Sequence, residues 1–215
     1  MNSLVPKKFF IDGPAGKLET VLAEPDSSRW RGIAVIAHPH PLHGGTMDNK
    51  VVHTLFKAFL ELEFVAVRFN FRGVGQSDGS YGEGAGETED VIAVVEAMRN
   101  GFDARFSQLP LWLAGFSFGG AIAARAVQQL GSQNKPQKLV LVAPSVDRLN
   151  APPVADHAAS TLIIHGEMDE VVPLKIVLDW AAPQELPVIV VPGGEHFFHG
   201  RLHILKRIVL DSCRS

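Results

Sequence analysis

Residues 110–130 read PLWLAGFSFGGAIAARAVQQL, and one change of rhythm inside them decides the fold. LWLAG is the unbroken apolar run of a strand buried on both faces, and GAIAARAV carries the small and apolar residues of a packed helix. Only Gly115-Phe116-Ser117-Phe118-Gly119 lies at the junction, so the strand must pass into the helix in one tight turn. Glycines two residues before and after Ser117 relieve the crowding that side chains would cause there. A strand leading straight into a helix is the unit of a parallel sheet with helices packed on it.

The same unit repeats on either side of this stretch. GIAVIAH (32–38) precedes NKVVHTLFKAFLELE, in which Val52, Leu55, Phe56, Phe59 and Leu60 recur at helical spacing. FVAVRFNF precedes TEDVIAVVEAMRN, TLIIHG precedes PLKIVLDWAA, and PVIVVP precedes FFHGRLHILKRIVLDSC, whereas KLVLVAPS lacks an obvious helix after it. At the front, FFI and KLETVLAEP are separated by DGPAG, which leaves no room for a crossover, so they read as an antiparallel hairpin at one edge. The expected fold class is α/β: a mostly parallel eight-stranded sheet with an antiparallel edge hairpin and helices on both faces. No repeat of solenoid period and no low-complexity linker divides the chain, so residues 1–215 are expected to form a single domain. VDRLNAPPVADHAA, after KLVLVAPS, is too short to hold a multi-helix lid, so no cap domain and an open site are expected. RGVGQSDGSYGEGAGE reads as a long glycine-rich loop of the kind that is functional or mobile.

Composition narrows the classes of partner. The 215 residues are 46% hydrophobic and 20% charged with a net charge of -3, which gives no reason to expect a polyanion, so nucleic acid is excluded as a partner. The single cysteine, Cys213, can form no intramolecular disulfide and no cysteine-based zinc site, which fits a reducing compartment. MNSLVPKKFF lacks the apolar core of a signal peptide, and nowhere are there the roughly 20 apolar residues that span a bilayer. A cytoplasmic protein without membrane partners is expected, as a monomer or as a homodimer using the edge hairpin or the glycine-rich loop.

The turn around Ser117 carries chemistry as well as topology. It holds the serine in a strained backbone conformation, lifts the hydroxyl above the sheet, and aims the N–H of Phe118 at the space a substrate carbonyl would occupy. A serine hydroxyl is a weak nucleophile unless a base accepts its proton, and the base needs a third group to fix its tautomer. PGGEHFFHG offers His196 as base on a glycine-loosened loop, and HGEMDEVVP offers Asp169 just after a strand. Glu167 and Glu170 flank Asp169 as alternative acids. His199 could compete with His196, but it is expected inside the C-terminal helical segment. His53, His157 and His203 read as surface or satisfied core residues.

His38-Pro39-His40-Pro41-Leu42-His43-Gly44-Gly45 places three histidines at metal-like spacings, yet only Asp48 adds a carboxylate nearby. The better reading is a loop whose backbone N–H groups receive a developing oxyanion. Because Pro39 and Pro41 have no N–H, His40 is the expected second donor beside Phe118, with Leu42 behind it. No metal and no cofactor are expected. The G-V-G of FRGVGQSDG departs from a dinucleotide fingerprint, since Asp78 stands where the last glycine belongs. Phe9, Phe10, Phe56, Phe59, Phe64, Phe69 and Phe71 read as core.

Taken together, HPHPLHGGTMDNKVV, RFNFRGVGQSDG, LAGFSFGG, IIHGEMDEVVP and GGEHFFHG resemble the small, lid-less bacterial α/β-hydrolases related to dienelactone hydrolases. The resemblance runs from residue 8 over nearly the whole chain. It implies the α/β-hydrolase fold and carboxylesterase-type activity on a small-molecule ester. It also implies Ser117 as nucleophile, His196 as base, Asp169 as orienting acid, and Phe118 with a residue of the His38 loop as oxyanion hole. The sequence departs from dienelactone hydrolases at the nucleophile, where those enzymes carry cysteine. The expected reaction is hydrolysis of short-chain esters through an acyl-enzyme. Thioesterase, lactonase or acyltransferase chemistry on the same residues is the alternative, and a non-catalytic interaction module on a hydrolase scaffold is the second.

Overall fold

The computed structural model describes residues 6–27 and 29–214. The first five residues, half of the N-terminal segment read above, lie outside the described residues. Eight strands form one sheet: β1 (Lys7–Gly13), β2 (Gly16–Ala23), β3 (Gly32–Ala37), β4 (Phe64–Phe69), β5 (Leu111–Phe116), β6 (Lys138–Val142), β7 (Thr161–Gly166) and β8 (Val188–Val191). Their spatial order is β1-β2-β4-β3-β5-β6-β7-β8. β1 and β2 pair antiparallel around the two-residue turn Pro14-Ala15, β2 pairs antiparallel with β4, and every pairing from β4 to β8 is parallel. This is the mixed sheet that the strand and helix rhythm implies.

The helices are α1 (Lys50–Glu61), α2 (Ala85–Asn100), α3 (Phe118–Gln129), α4 (Leu174–Ala181) and α5 (Leu202–Cys213). Alternation along β3 explains their placement, because Ile33, Val35 and Ala37 face one side of the sheet while Ala34 and Ile36 face the other. The first side packs against Val91, Val94, Val95 and Met98 of α2 and against α3 and α4; the second packs against Leu55, Phe56 and Phe59 of α1 and Leu205 and Val209 of α5. Both faces of the central strands are therefore dry, and their near-continuous apolar sequence follows from that. After β6 the chain makes only turns and a short 3₁₀ segment (Ala155–Ser160) before β7, so no helical lid covers the carboxyl edge there.

Three details differ from the sequence expectation. Helix α2 begins at Ala85, three residues before the TEDV run, because Glu87 reaches back to accept the N–H groups of Gly82 (2.8 Å) and Gly84 (2.7 Å) and so closes its first turn. The glycine-rich segment before it is pinned rather than loose: the Arg72 guanidinium bonds the buried Asp90 carboxylate at 2.7 Å, and Ser77 Oγ donates to the carbonyl of Asn70 at 2.7 Å. Phe10 is exposed on the outer hairpin strand, whereas Phe56, Phe59, Phe64, Phe69 and Phe71 are buried. An edge strand has one face without a covering helix, which is where Phe10 points.

Candidate active site

The strand order reverses between β3 and β5, since the chain moves outward from β3 to β4 and then returns to the other side of β3. Such a switch point opens a crevice at the carboxyl ends of the strands. Ser117 sits there, between the last residue of β5 and the first of α3, with φ 55° and ψ -115°. A positive φ is costly for a residue with a β-carbon, and the site over-determines it. The Ser117 N–H donates to the carbonyl of Val142 at 2.9 Å, and its carbonyl accepts from Gly120 (3.0 Å) and Ser145 (3.1 Å). No other residue type fits at the flanking glycines: a β-carbon on Gly115 would lie 2.1 Å from the carbonyl oxygen of Gly119, and one on Gly119 would lie 2.4 Å from that of Ala37.

Asp169 and His196 arrive from loops after β7 and β8 on the same edge of the sheet. His196 Nδ1 donates to Asp169 Oδ2 at 2.7 Å, which leaves Nε2 as the acceptor for the Ser117 hydroxyl at 3.0 Å; the tautomer follows from these two partners. All three side chains are buried. The His196 ring is held between Phe116 and Phe197, with ring centroids 5.0 Å away in both cases. Asp169 Oδ1 accepts the N–H groups of Val171 (2.9 Å) and Val172 (2.8 Å), so the loop itself orients the carboxylate. Of the alternative acids, Glu167 is exposed and accepts from the N–H of Gly193, and Glu170 is exposed. His199 stands in the turn before α5, not inside the helix as expected, because the helix begins only at Leu202; its ring bonds Glu195.

On the β3 side, His38 is fully buried between the Phe71 N–H, which donates to Nε2 at 3.0 Å, and the carbonyl of Pro39, which accepts from Nδ1 at 2.6 Å. Burial pushes this imidazole down to about 4, so it is neutral at pH 7. Both ring nitrogens are thus occupied in holding the loop. The N–H groups of Phe118 and His40 donate to no protein acceptor among the described residues, and both residues line the pocket above Ser117. The N–H of Leu42 is turned back onto His40 Nδ1 at 3.2 Å. Among the described residues, no three His, Cys, Asp or Glu side chains are grouped so as to hold a metal ion.

The pocket is about 250 Å³, at the small end for ligand sites, and opens directly to solvent. Several of its neighbours escaped the sequence reading. Ser145 is buried with Oγ 3.2 Å from Ser117 Oγ. It follows β6 at the same edge of the sheet, and that position was the available signal. Tyr81 is delivered by the pinned glycine-rich loop, with its hydroxyl 3.4 Å from His40 Nε2. His165, the penultimate residue of β7, is buried, donates from Nε2 to the carbonyl of Val172 at 2.8 Å, and lies 3.4 Å from Asp169 Oδ2. Arg148 and Phe197 complete the wall.

Residues 36–162 match the family model described as serine aminopeptidase, S33, a span that includes Ser117. Among solved structures, the chain is 41% identical to an alpha-beta serine hydrolase homologue from Coxiella burnetii, covering 96% of this chain and 97% of that one with a TM-score of 0.83. It is 35% identical to a Xanthomonas campestris protein described as an a/b serine hydrolase without lid, covering 99% and 97% with a TM-score of 0.86. It is also 28% identical over 214 residues to an uncharacterized protein of Rickettsia prowazekii, covering 95% of this chain and 87% of that one.

Proposed function

Because the chain belongs to the serine aminopeptidase S33 family of α/β hydrolases, we propose that it cleaves short-chain carboxylic esters through an acyl-enzyme on Ser117. The observation that carries this reading is the position of His196, bonded at 2.7 Å to Asp169 and at 3.0 Å to the Ser117 hydroxyl. In that arrangement His196 takes the Ser117 proton as Oγ attacks the ester carbonyl. Asp169 stabilises the imidazolium that forms, and His196 then returns the proton to the leaving alcohol. The N–H groups of Phe118 and His40 receive the oxyanion, a contribution worth on the order of a hundredfold or more in turnover per donor. Water, activated by the same imidazole, releases the acid.

The same reading treats the chain as one domain, since every part of the site rises from one sheet. Short acyl chains are preferred, as the pocket is small and no lid extends it with apolar surface. Aminopeptidase activity, suggested by the family's description, is the weaker reading: a free amino terminus needs a carboxylate to hold it, and no Asp or Glu lines the pocket among the described residues. The test is hydrolysis of p-nitrophenyl butyrate and dodecanoate by wild type and Ser117→Ala. The butyrate is expected to have the higher kcat/KM, with loss of both activities in the variant. Preference for dodecanoate, or activity that survives in Ser117→Ala, would overturn the proposal.

A further inference from the structure

Arg148 stands in the wall of the pocket into which Ser117 opens. Its Nη2 donates to the carbonyl of Val171 at 3.0 Å, which fixes the guanidinium between the segment after β6 and the loop carrying Asp169. Among the described arginines, Arg72 pairs with Asp90 and Glu89, Arg68 with Asp48, Arg105 with Asp103 and Arg214 with Glu61, while Arg99 and Arg201, like Arg148, donate to backbone carbonyls but lie outside the pocket wall. Arg148 forms no ion pair among the described residues, although the exposed Asp147 and Glu170 are near it in the fold. Its charge reaches across the pocket: after desolvation as the main cause, His43 and then Arg148 lower the proton affinity of His40, against an opposing contribution from the Glu87 carboxylate. At the mouth, Lys50 Nζ lies 5.6 Å from the ring centroid of Phe197, another wall residue.

A pocket with a tethered guanidinium and no carboxylate of its own is matched to a ligand that brings the negative charge. We propose that Arg148 is the specificity residue for a carboxylate carried by the ester, so that the preferred substrates are anionic esters. The inference rests on the hydrolase reading above. One N–H of the guanidinium is used by Val171, and the remaining fork is free to pair with a carboxylate in a bidentate geometry. A lysine at this position would keep the charge and lose the fork.

The experiment compares 4-acetoxybenzoate with its neutral methyl ester, each rate for the aryl acetate normalised to its uncatalysed hydrolysis. The wild type is expected to favour the anion in kcat/KM by roughly tenfold or more, mainly through KM, with the preference shrinking at high salt. Arg148→Gln brings the ratio close to one, and Arg148→Lys keeps part of it. Mono-4-nitrophenyl adipate against 4-nitrophenyl hexanoate then tells whether the acyl or the leaving side carries the charge. A wild-type ratio at or below one in both pairs, or a ratio unchanged in Arg148→Gln, overturns the proposal. Thermal melts of both variants separate this role from a merely structural tie to Val171, which would lower Tm and leave the ratio intact. Calorimetric binding of 4-acetoxybenzoate to Ser117→Ala, with and without Arg148→Gln, reads recognition without turnover. If wild type cleaves neither ester while Ser117→Ala binds the anion through Arg148, the hydrolase reading fails and the anion site stands; no binding overturns the anion site.

Discussion

Asp169 presents one oxygen to His196 and the other to its own loop. Oδ2 accepts from His196 Nδ1 at 2.7 Å while Oδ1 accepts the N–H groups of Val171 and Val172 at 2.9 and 2.8 Å. Asp169→Asn can keep the loop bonds through its amide oxygen, but it then turns an NH₂ toward Nδ1. His196 must carry its proton on Nε2 and can no longer accept from Ser117. The expected result is a fall in kcat/KM on the order of 10⁴-fold with a Tm within a few degrees of wild type. Ester kinetics and a thermal melt check it, and a variant within tenfold of wild type would assign the acid elsewhere.

Ser145 Oγ lies 3.2 Å from Ser117 Oγ, so its hydroxyl can donate to the nucleophile while Ser117 donates to His196. Replacing it by alanine removes one hydrogen bond of about 0.5–1.5 kcal/mol and should lower kcat by about twofold to tenfold. Labelling of Ser117 by a fluorophosphonate should slow to the same degree. An unchanged labelling rate would leave Ser145 with no part in activation.

At Gly115 there is no space for even one methyl group, because a β-carbon would meet the Gly119 carbonyl oxygen at 2.1 Å. Gly115→Ala should cost about 3 kcal/mol or more, since backbone on both sides would have to shift. Denaturant unfolding measures this directly, and a loss below about 1 kcal/mol would mean that the turn can open.

Folding lowers the proton affinity of His38 from 6.5 to about 4 through burial. The unfolded chain therefore binds the extra proton between those values, and stability that is fully present above pH 6.5 is lost as the pH falls through 4. The lowering corresponds to about 3 kcal/mol. The stability gap between wild type and His38→Gln, from urea unfolding, should shrink by that order between pH 7 and pH 4. A gap that is constant with pH would contradict the burial of a neutral imidazole.

Strand and helix rhythm made the fold legible because both faces of β3 to β7 are covered, which writes burial into the sequence as continuous apolar runs. Ser117 and His196 could be picked out because each lies in a turn or loop after a strand at the same edge, whereas Asp169 was separated from Glu167 and Glu170 by the family resemblance. What stayed hidden depends on contacts between distant segments. Glu87 starts α2 early through bonds to Gly82 and Gly84, and Arg72 with Asp90 pins a loop whose composition read as functional or mobile. His165 and Arg148 meet the site only through packing across β6 and β7, with no local pattern to mark the meeting, whereas Ser145 carried the signal of its place just after β6.

The most direct test of the central claim is to mix the protein with p-nitrophenyl acetate, quench within the first turnover, and map any acetyl group by peptide mass spectrometry. One acetyl is expected on the peptide containing Ser117, absent in Ser117→Ala and in His196→Ala. Hydrolysis without a modified Ser117, or acetylation of another residue that persists in Ser117→Ala, would contradict it.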